Sequence, residues 1–417
     1  MPKIKSEFPS GFLWGASTSA HQVEGGTYNQ WDRWEMKNAE RLAGEAEQAL
    51  SHWLPNWNRI KPQAQNIQNY ISGRTCDHWN RYEEDVRLAK SLGMNAYRFS
   101  IEWSRVEPQE GQFSREAIKH YQQMIDSLRK HDIQPFVTLW HWTVPLWFED
   151  GGGWKNSNAP DQFASFVSYV GKNLKGVQFW ITLNEPNVYI YFSLLKAAWP
   201  PQNRSFRAAQ KARRNLARGH RLAYKILKSF SDEFQVGLSE NLAWFELGDN
   251  SPTTYVNKLV NERLSHYFFR HNISKMDFIG LNHYFHNRLK GWKQNQNANK
   301  KLSDLGWELY PEGLYHAAQT ASAYKKPIYI TEHGLADAED KNRKWFLTES
   351  LRELSRAISE GADVRGYMHW SLLDNFEWAY GFWPRFGLIE VDYKTLKRTV
   401  RPSAKEYAQI IQQNGVK

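Results

Sequence analysis

The segment Phe179-Trp-Ile-Thr-Leu-Asn-Glu185 decides the fold, together with a matching segment, Pro327-Ile-Tyr-Ile-Thr-Glu332. Each is a short apolar run with β-branched residues, and this composition predicts a buried strand. Each run also ends in a glutamate, Glu185 in the first and Glu332 in the second. Because the two runs are far apart in the sequence, only the tertiary fold can bring these glutamates together.

Six further segments have the same strand-like character, and stretches with a helical period of apolar residues lie between them. An alternation of β and α elements repeated eight times is typical of a closed (β/α)8 barrel, the TIM barrel of the α/β class. We predict strands at 12–20, 94–103, 133–140, 179–185, 236–242, 278–285, 327–332 and 364–372, and helices at 78–92, 115–131, 160–174, 206–230, 254–271, 312–324 and 343–360.

The chain length of 417 residues is compatible with one barrel, because single barrels range from about 200 to more than 400 residues. No low-complexity linker and no repeat of fixed period divides the chain, so we predict a single domain over residues 1–417. The stretches 23–77 and 286–311 are interpreted as long loops over the carboxyl-terminal face of the barrel.

Polar and aromatic residues recur at or just past the carboxyl ends of the predicted strands. In barrels of this type that end carries the active site, so these side chains are candidates for function. They are Gln22, Arg98, His141, Asn184, Glu185, Asn282, Glu332 and Trp370.

The glutamates at the ends of the fourth and seventh strands predict a specific chemistry. Two carboxyl groups in one pocket are what cleavage of a glycosidic bond requires, one as an acid on the leaving oxygen and one as a group that attacks or stabilises the sugar carbon. A strand-end salt bridge is the structural alternative for either glutamate taken alone.

Composition argues against several other classes. The formal charge is +10, and the basic residues of 206–230 recur every three or four positions opposite an apolar stripe, which is typical of a solvated helix face rather than a nucleic-acid site. No run approaches the roughly 18 apolar residues of a membrane span, and the first residues lack the apolar stretch of a signal peptide. Cys76 is the only cysteine, which favours a reducing, cytoplasmic location.

Metal and cofactor signatures are missing from the sequence. There is no His-Glu-x-x-His segment, no paired cysteine ligands and no phosphate-binding Gly-x-x-x-x-Gly-Lys loop. His283 and His286 are three residues apart on a predicted strand, a spacing that directs them to opposite faces. We therefore predict neither a metal nor an organic cofactor.

Five motifs resemble the signatures of glycoside hydrolase family 1, the β-glucosidase family, and the similarity extends from about residue 8 to about residue 410. They are Phe12-Leu-Trp-Gly-Ala-Ser-Thr-Ser-Ala-His-Gln-Val-Glu-Gly25, Tyr97-Arg-Phe-Ser-Ile-Glu-Trp-Ser-Arg105, Asn184-Glu-Pro186, Thr331-Glu-His-Gly334 and His369-Trp-Ser-Leu-Leu-Asp-Asn-Phe-Glu-Trp378. The resemblance implies a retaining β-glycosidase on a (β/α)8 barrel, without metal or organic cofactor.

The resemblance also implies roles for the catalytic residues. Glu185 resembles the acid/base, whose pKa must be raised by burial and by a nearby carboxylate, whereas Glu332 resembles the nucleophile, kept ionised by Arg98. In a retaining pair the two carboxyl groups lie about 5–5.5 Å apart. Asn184 is expected to contact the sugar 2-hydroxyl, and Tyr284, on the same strand as Asn282, to hold an oxygen of the nucleophile.

Further residues resemble those that bind the sugar in this family. Gln22, His141 and Glu377 are expected to bind its 3-, 4- and 6-hydroxyls, and Asn282 is placed with them. Trp370 is expected under the ring, Trp378 and Phe386 around it, and Trp307 on the aglycone side. Each of three of these residues also has a purely structural interpretation: a core histidine for His141, a barrel-wall ring for Tyr284 and a core ring for Trp307.

Two features depart from the family pattern. His333 stands where the family usually has asparagine; a neutral imidazole can make a similar hydrogen bond, whereas a protonated one would lower the pKa of the nucleophile. The chain is also short after the fifth and sixth strands, which predicts a more open mouth and broad aglycone tolerance.

These observations predict an exo-acting retaining β-glucosidase that also uses β-galactosides or β-fucosides, with a small β-glycoside or oligosaccharide as its partner. A 6-phospho-β-glycosidase of the same fold and a non-catalytic sugar-binding barrel are the alternatives. Glu377 argues against the first, because its carboxylate would repel a phosphate, and retention of both carboxyl groups argues against the second. The sequence leaves the choice between monomer and homo-oligomer open.

Overall fold

A closed barrel of eight parallel strands organises the computed structural model, which describes residues 6–416. Consecutive barrel strands pair with each other, and the last pairs with the first from Gly366 opposite Leu13 to Trp370 opposite Ser17. All eight predicted strands are confirmed. They are β1 (Leu13–Ser17), β2 (Ala96–Ser100), β3 (Gln134–Thr138), β4 (Phe179–Asn184), β5 (Gln235–Asn241), β6 (Phe278–His283), β7 (Ile328–His333) and β8 (Val364–Trp370).

Helices connect the strands and surround the barrel, and the predicted helices are confirmed except that 254–271 is divided into two at His266. The α-helices are Ala20–Val23, Gln30–Leu50, Trp57–Ala64, His78–Ser91, Trp103–Val106, Arg115–Lys130, Leu146–Asp150, Ala159–Asn173, Pro186–Tyr189, Phe206–Phe230, Pro252–Ser265, Tyr267–Asn272, Glu312–Ser322, Arg343–Ser359 and Pro402–Gln413. Short 3-10 turns occur at Ile67–Tyr70, Gly153–Lys155, Ile273–Lys275 and Trp378–Tyr380, and a π-helical turn at Ile190–Leu195.

The interpretation of 23–77 as a loop is wrong in its local structure. A helix of 21 residues, Gln30–Leu50, occupies much of it, and a capping box in which Asn29 and Asp32 bond each other's backbone N–H groups begins this helix. The buried side of this helix mixes tryptophans, alanines and one leucine with polar residues such as Glu35 and Asn38, and this mixture weakens its apolar period in the sequence.

The interpretation of 286–311 as a loop also needs correction. Its first residues form a short strand, His286–Leu289, which pairs in parallel with Trp244–Leu247 outside the barrel. Two other small sheets pair Ser6–Glu7 with Gly415–Val416 and Ile389–Val391 with Arg398–Val400. Within residues 6–416, no helix is both long enough and apolar enough to cross a membrane.

The interior of the barrel is divided into two layers along the strand direction. At the amino-terminal ends of the strands, four rings pack together: Phe136 and Phe179 stack with centroids 4.2 Å apart, and Phe278 and Tyr329 lie edge-on at 5.3 Å. Nearer the carboxyl ends of the same strands the buried side chains include polar ones that hydrogen-bond each other or Arg98, namely Thr138, Asn184, Asn282 and Thr331. The barrel is therefore filled by aromatic rings at one end and by a hydrogen-bonded network at the other, where the candidate site lies.

Candidate active site

A cavity of about 220 Å³ opens at the carboxyl-terminal end of the barrel. Loops that follow several different strands contribute to it, as expected for an active site on this fold. Its walls are largely aromatic, with a few polar groups between the rings. The cavity is lined by Gln22, His141, Trp142, Glu185, Val188, Phe192, Trp199, Asn241, Tyr284, Phe285, Trp307, Glu332, Trp370, Glu377, Trp378, Tyr380 and Phe386.

Glu185 and Glu332 both line this cavity and are connected through a short series of buried hydrogen bonds. Asn282 Nδ2 donates to Glu185 Oε1 at 2.8 Å and to Asn184 Oδ1 at 3.2 Å, and Arg98, which donates to the same Asn184 oxygen, forms an ion pair with Glu332. Glu332 lies within β7 and Glu185 directly after β4, so strands on opposite parts of the barrel deliver the two carboxyl groups to one place. Both residues are buried.

Two neighbours of Glu332 stabilise its ionised form against the effect of burial. The buried Arg98 guanidinium forms an ion pair with Glu332 Oε1, and the Tyr284 hydroxyl donates to Oε2 at 3.0 Å. Burial is the largest influence and raises the pKa of Glu332, while Arg98 and the Tyr284 hydrogen bond limit the rise. Tyr284 stays protonated because burial and the adjacent carboxylates raise its pKa well above the usual value.

The surroundings of Glu185 favour its protonated form. Burial is the main cause that raises the pKa of this carboxyl, and the negative charge of Glu332 adds to it, while the Asn282 hydrogen bond only partly opposes the rise. Arg98 stabilises negative charge on Glu332 by direct contact, whereas the first partner of Glu185 is a neutral amide. The two carboxyl groups therefore differ in their neighbours, because Glu332 contacts a cation and Glu185 a neutral amide.

The orientation of the Asn184 amide is set by three partners. Arg98 donates to Asn184 Oδ1 at 2.6 Å and Asn282 donates to the same oxygen at 3.2 Å, so the amide nitrogen points to His141 Nε2, 3.1 Å away. Because His141 Nε2 accepts this bond, the proton of the neutral imidazole is on Nδ1, which is buried without a partner. Burial first, and Arg98 second, lower the pKa of His141 well below its usual value.

Gln22 and Glu377 form the polar edge of the cavity. Gln22 follows β1 in the short helix Ala20–Val23, and its Nε2 donates to Phe376 O at 2.8 Å and lies 3.4 Å from Glu377 Oε2. Ser19 donates to Gln22 Oε1 at 2.6 Å, which fixes the orientation of the amide. Burial, with the Glu332 charge second, raises the pKa of Glu377 to about 8.

Aromatic rings enclose the remaining sides. The His141 ring is parallel to those of Trp370 and Trp378 at centroid distances of 6.0 and 6.1 Å. On another side, Trp307 packs edge-on against Tyr284 at 5.8 Å and lies 6.0 Å from Phe386. Flat apolar faces with adjacent polar groups are typical of a pocket that binds a small ring-shaped polar ligand.

Three non-glycine residues of the cavity wall have left-handed backbone conformations. Trp142, Glu185 and Trp378 have φ values of 74°, 42° and 50°. Such residues are uncommon and cluster at functional sites, where packing elsewhere holds the strained backbone. At Glu185 this conformation lies at the junction between β4 and the helix Pro186–Tyr189.

His333 does not contact the carboxyl groups through its ring nitrogens. Its Nδ1 lies 2.9 Å from the Tyr367 hydroxyl and its ring stacks on Phe346 at 5.0 Å, on the side of the barrel wall that faces helix Arg343–Ser359. Burial, with His283 and His369, lowers the pKa of His333 well below its usual value, so the imidazole is neutral. The direction of this pKa shift disfavours the protonated imidazole, and the ring makes its hydrogen bond to Tyr367 rather than to the carboxyl groups.

The structure brings most of the predicted site residues into the cavity wall: Gln22, His141, Glu185, Tyr284, Trp307, Glu332, Trp370, Glu377, Trp378 and Phe386. Arg98, Asn184 and Asn282 lie behind the wall, fully buried, where they bond the carboxyl groups and each other. The expected contact of Asn184 with a sugar hydroxyl stays a prediction.

Sequence reasoning missed several residues of the wall. Asn241 ends β5 and lines the cavity, so its strand-end position was a usable signal. The same strand carries Glu240, a further buried carboxyl, which Asn187 Nδ2 bonds at 2.9 Å. Phe192 and Trp199 come from an irregular segment after β4, and no periodic pattern marks them.

A parallel eight-stranded barrel with a donor carboxyl and an anionic carboxyl in an aromatic cavity defines a glycoside hydrolase. Comparison with known proteins agrees. The model of glycosyl hydrolase family 1 matches residues 4–278 and 270–416, and the chain belongs to this family.

Individual relatives extend over nearly the whole chain. β-Glucosidase A of Thermotoga maritima is 32% identical over 98% of this chain and 99% of its own. A β-glycosidase structure from Pyrococcus horikoshii is 34% identical and superimposes with a TM-score of 0.88 over 99% of this chain and 97% of that chain. A T. maritima β-glucosidase in complex with glucoimidazole has a TM-score of 0.88 at 29% identity, over 99% of this chain and 100% of that one.

Proposed function

We propose that this protein is a retaining exo-β-glycosidase that releases terminal β-D-glucosyl residues and also accepts β-D-galactosyl or fucosyl residues. The observation that carries the proposal is the pair of buried carboxyl groups in one cavity, Glu332 ion-paired to Arg98 and Glu185 with a pKa raised chiefly by burial. The relatives named β-glucosidase support the choice of glucose.

The reaction proceeds by double displacement. A Glu332 carboxylate oxygen attacks the anomeric carbon while the Glu185 carboxyl transfers its proton to the aglycone oxygen, so the C–O bond breaks as an alcohol leaves and a glycosyl ester forms. Glu185 is then a carboxylate and takes a proton from a water molecule, whose oxygen attacks the same carbon. The ester bond breaks, Glu332 is regenerated, Glu185 is protonated again, and the sugar is released with retained configuration.

Recognition of the sugar uses the polar edge of the cavity. His141 presents its unpartnered Nδ1–H as a donor, and Glu377 presents a carboxyl group next to the fixed Gln22 amide. Trp370 supplies a flat face under the ring. The small volume of the cavity favours one terminal sugar ring over an internal segment of a polysaccharide.

The 6-phospho-β-glycosidase alternative is disfavoured by the same cavity. Among the described residues that line it there is no lysine or arginine, and Glu377 lies at the edge where the 6-position is expected. A phosphate dianion there would lack a cationic partner and would approach an acidic group.

A panel of nitrophenyl β-glycosides tests the proposal, with the anomeric configuration of the first-formed sugar followed by NMR. We expect hydrolysis of the glucoside, weaker or equal hydrolysis of the galactoside and fucoside, and β-sugar as the first product. Initial release of the α-anomer would exclude double displacement, and hydrolysis restricted to 6-phosphoglycosides would support the alternative.

The cellular location is a separate proposal. The single buried Cys76 has no cysteine with which to form an internal disulfide, which supports a reducing cytoplasm. Fractionation of the native cells, followed by the same nitrophenyl assay, tests it; recovery of the activity in a secreted fraction would contradict it.

A further inference from the structure

A buried carboxyl group that has no role in the proposed mechanism lies behind the wall of the catalytic cavity. Glu240 is the last residue but one of β5 and is fully buried. Its neighbours on the strand face the barrel interior: the Ser239 hydroxyl bonds the Thr331 hydroxyl at 3.0 Å, and Asn241 lines the cavity. Because successive side chains of a strand point to opposite faces, Glu240 is directed away from the cavity. Glu240 is therefore not in a position to contact a sugar.

The oxygens of Glu240 accept hydrogen bonds from the segment that follows Glu185. The Asn187 side-chain amide donates to Glu240 Oε2 at 2.9 Å, and the Asn187 backbone N–H donates to the same oxygen at 3.4 Å. The backbone N–H of Asn241 donates to Oε1 at 3.1 Å. Asn187 Nδ2 also donates to Ser265 O at 3.1 Å, so the Asn187 side chain is fixed on two sides.

Glu240 is one of two consecutive residues of β5 that hold the turn at Glu185. Before Pro186, the Glu185 backbone N–H donates to the carbonyl oxygen of Ser239 at 2.8 Å. After Pro186, Asn187 donates to Glu240. Proline has no N–H, so Asn187 is the first residue after Glu185 that can donate a backbone hydrogen bond. The chain is thus attached to β5 on both sides of Pro186.

The turn needs this support because its backbone is strained. Glu185 has a φ of 42°, a left-handed conformation that non-glycine residues keep only where the surrounding structure holds it. A rotation of the turn would move the Glu185 carboxyl away from the Asn282 amide, which is 2.8 Å from it, and from the glycosidic oxygen of a bound substrate. A displacement of about 1 Å at a reacting group costs about 10²-fold in rate.

We propose that Glu240 is a positioning residue for the proton donor: by accepting the hydrogen bonds of Asn187, it holds the Glu185 carboxyl against the leaving oxygen. The proposal rests on the proposed function and adds to it a residue outside the cavity. The pKa of Glu240 reflects the same proximity, because burial first and the Glu185 charge second raise it well above its usual value.

A purely structural role for Glu240 is the alternative. A carboxyl group that pairs with buried N–H groups contributes to stability whether or not it affects catalysis, so a general loss of activity does not separate the two roles. The dependence on the leaving group does separate them. A misplaced proton donor slows each substrate according to how much its leaving group needs a proton, whereas partial unfolding slows all substrates equally.

A series of aryl β-D-glucosides, from dinitrophenyl to phenyl, tests the proposal in the Glu240→Leu variant. Leucine fills part of the same space and accepts no hydrogen bond. We expect kcat/KM for the phenyl glucoside to fall about 10- to 100-fold, and kcat/KM for the dinitrophenyl glucoside, whose leaving group needs no proton, to fall less than about threefold. The ratio of the two values is independent of the folded fraction.

The second step of the reaction gives an independent measurement. The displaced Glu185 carboxylate should also activate water poorly, so kcat for the dinitrophenyl glucoside should fall in Glu240→Leu. Azide needs no base, and it should restore this kcat and give the β-glucosyl azide. Absence of azide rescue, with kcat reduced, would argue against a displaced Glu185.

Three further variants sharpen the comparison. Glu240→Gln keeps one acceptor oxygen and should retain more activity on the phenyl glucoside than Glu240→Leu. Asn187→Ala removes the side-chain hydrogen bond from the other partner and should give the same selective loss, with the double variant no worse than the poorer single one. Asp277→Asn is the matched control, because Asp277 accepts from the Val236 N–H at 3.0 Å at the opposite end of the same strand. It should leave the ratio of the two kcat/KM values at the parental value.

The proposal is overturned if Glu240→Leu lowers kcat/KM by the same factor for every leaving group, or if it leaves hydrolysis of the phenyl glucoside unchanged. If Glu240→Leu does not fold, Glu240→Gln and Asn187→Ala provide the same comparison with the same criteria. A parent protein that hydrolyses no β-glucoside would instead contradict the proposed function.

Discussion

The two ends of the barrel are built from the same eight strands and have opposite chemistry. On β7, Tyr329 packs among phenylalanine rings at the lower, amino-terminal end, and Glu332, three residues on, is ion-paired to Arg98 at the upper end. On β4, Phe179 and Glu185 show the same change. A strand can therefore contribute apolar packing with its first residues and a reactive group with its last.

Cavity size does not distinguish these ends. A depression of about 600 Å³ lies at the lower end, beside Phe179 and Tyr329, and is larger than the catalytic cavity. Asp363, the acidic residue in the lining of this depression, already accepts a hydrogen bond from Arg365 at 2.8 Å. Asp363 lies at the protein surface rather than in a buried pocket. The site is therefore identified by buried carboxyl groups that meet in one cavity and have different surroundings. Cavity volume does not identify it.

The largest expected effect at the upper end is that of Glu332→Ala. Removal of the attacking oxygen should lower kcat by at least about 10³-fold without loss of the folded state, because the remaining groups cannot form the glycosyl ester. Nitrophenyl glucoside hydrolysis measures the loss, and added azide should restore some turnover as the α-glycosyl azide. Formation of the β-azide would show that Glu332 is not the nucleophile.

The largest expected effect at the lower end is on stability. Phe136→Ala should lower the free energy of unfolding by about 3–5 kcal/mol, because it opens a cavity among the stacked rings, and should leave kcat nearly unchanged in the folded fraction. Denaturant titration and the nitrophenyl assay measure the two quantities. Phe136→Leu is the milder control, and a fall in kcat without a fall in stability would break the division between the two ends.

The upper end should also make stability depend on pH. The Glu377 pKa is raised to about 8 in the folded state, compared with about 4.5 in the unfolded chain. The contribution of the protonated Glu377 carboxyl to the free energy of unfolding is therefore fully present below about pH 4.5 and is lost as the pH rises through about 8. Relative to Glu377→Gln, the parent protein should lose about 2–4 kcal/mol of unfolding free energy between pH 5 and pH 9.

Arg98 should have a smaller but diagnostic effect. Arg98→Gln removes the cation that lowers the Glu332 pKa, so the acidic limb of the kcat/KM profile should move to higher pH and the rate should fall roughly 10²-fold. Arg98→Lys keeps the charge without the planar guanidinium and should restore the acidic limb more than the rate. An unchanged acidic limb in Arg98→Gln would argue that Arg98 has only a structural role.

The barrel was predictable from the sequence because local pattern and tertiary role agree there. Buried parallel strands are short apolar runs in the sequence, and the motif at Glu332 ends one of these runs. The same residues therefore indicate the strand, the place where it ends and the chemical group at that end. The polar network behind the wall followed from the same logic, since Arg98, Asn184 and Asn282 all lie on barrel strands.

The mouth was less predictable for a physical reason. Helix Gln30–Leu50 buries a mixture of aromatic, small and polar residues, and its start is set by the side-chain cap at Asn29 rather than by an apolar stripe. Phe192 lies in a π-helical turn and Trp199 in the irregular segment that follows it, and no periodicity in the sequence indicates either geometry. Tertiary contacts, rather than local preference, decide the structure of such segments.

The left-handed backbone at Glu185 has a consequence for how this site is maintained. A non-glycine residue in that conformation costs about 1–3 kcal/mol, so the position retains glutamate at the expense of folding stability. Glycine adopts the same angles without a Cβ clash, and a Glu185→Gly protein should be at least as resistant to heat as Glu185→Ala. Selection for thermal resistance alone would then favour a glycine here and remove the carboxyl group that we propose as the proton donor, so the presence of glutamate at this position is what a catalytic role would require.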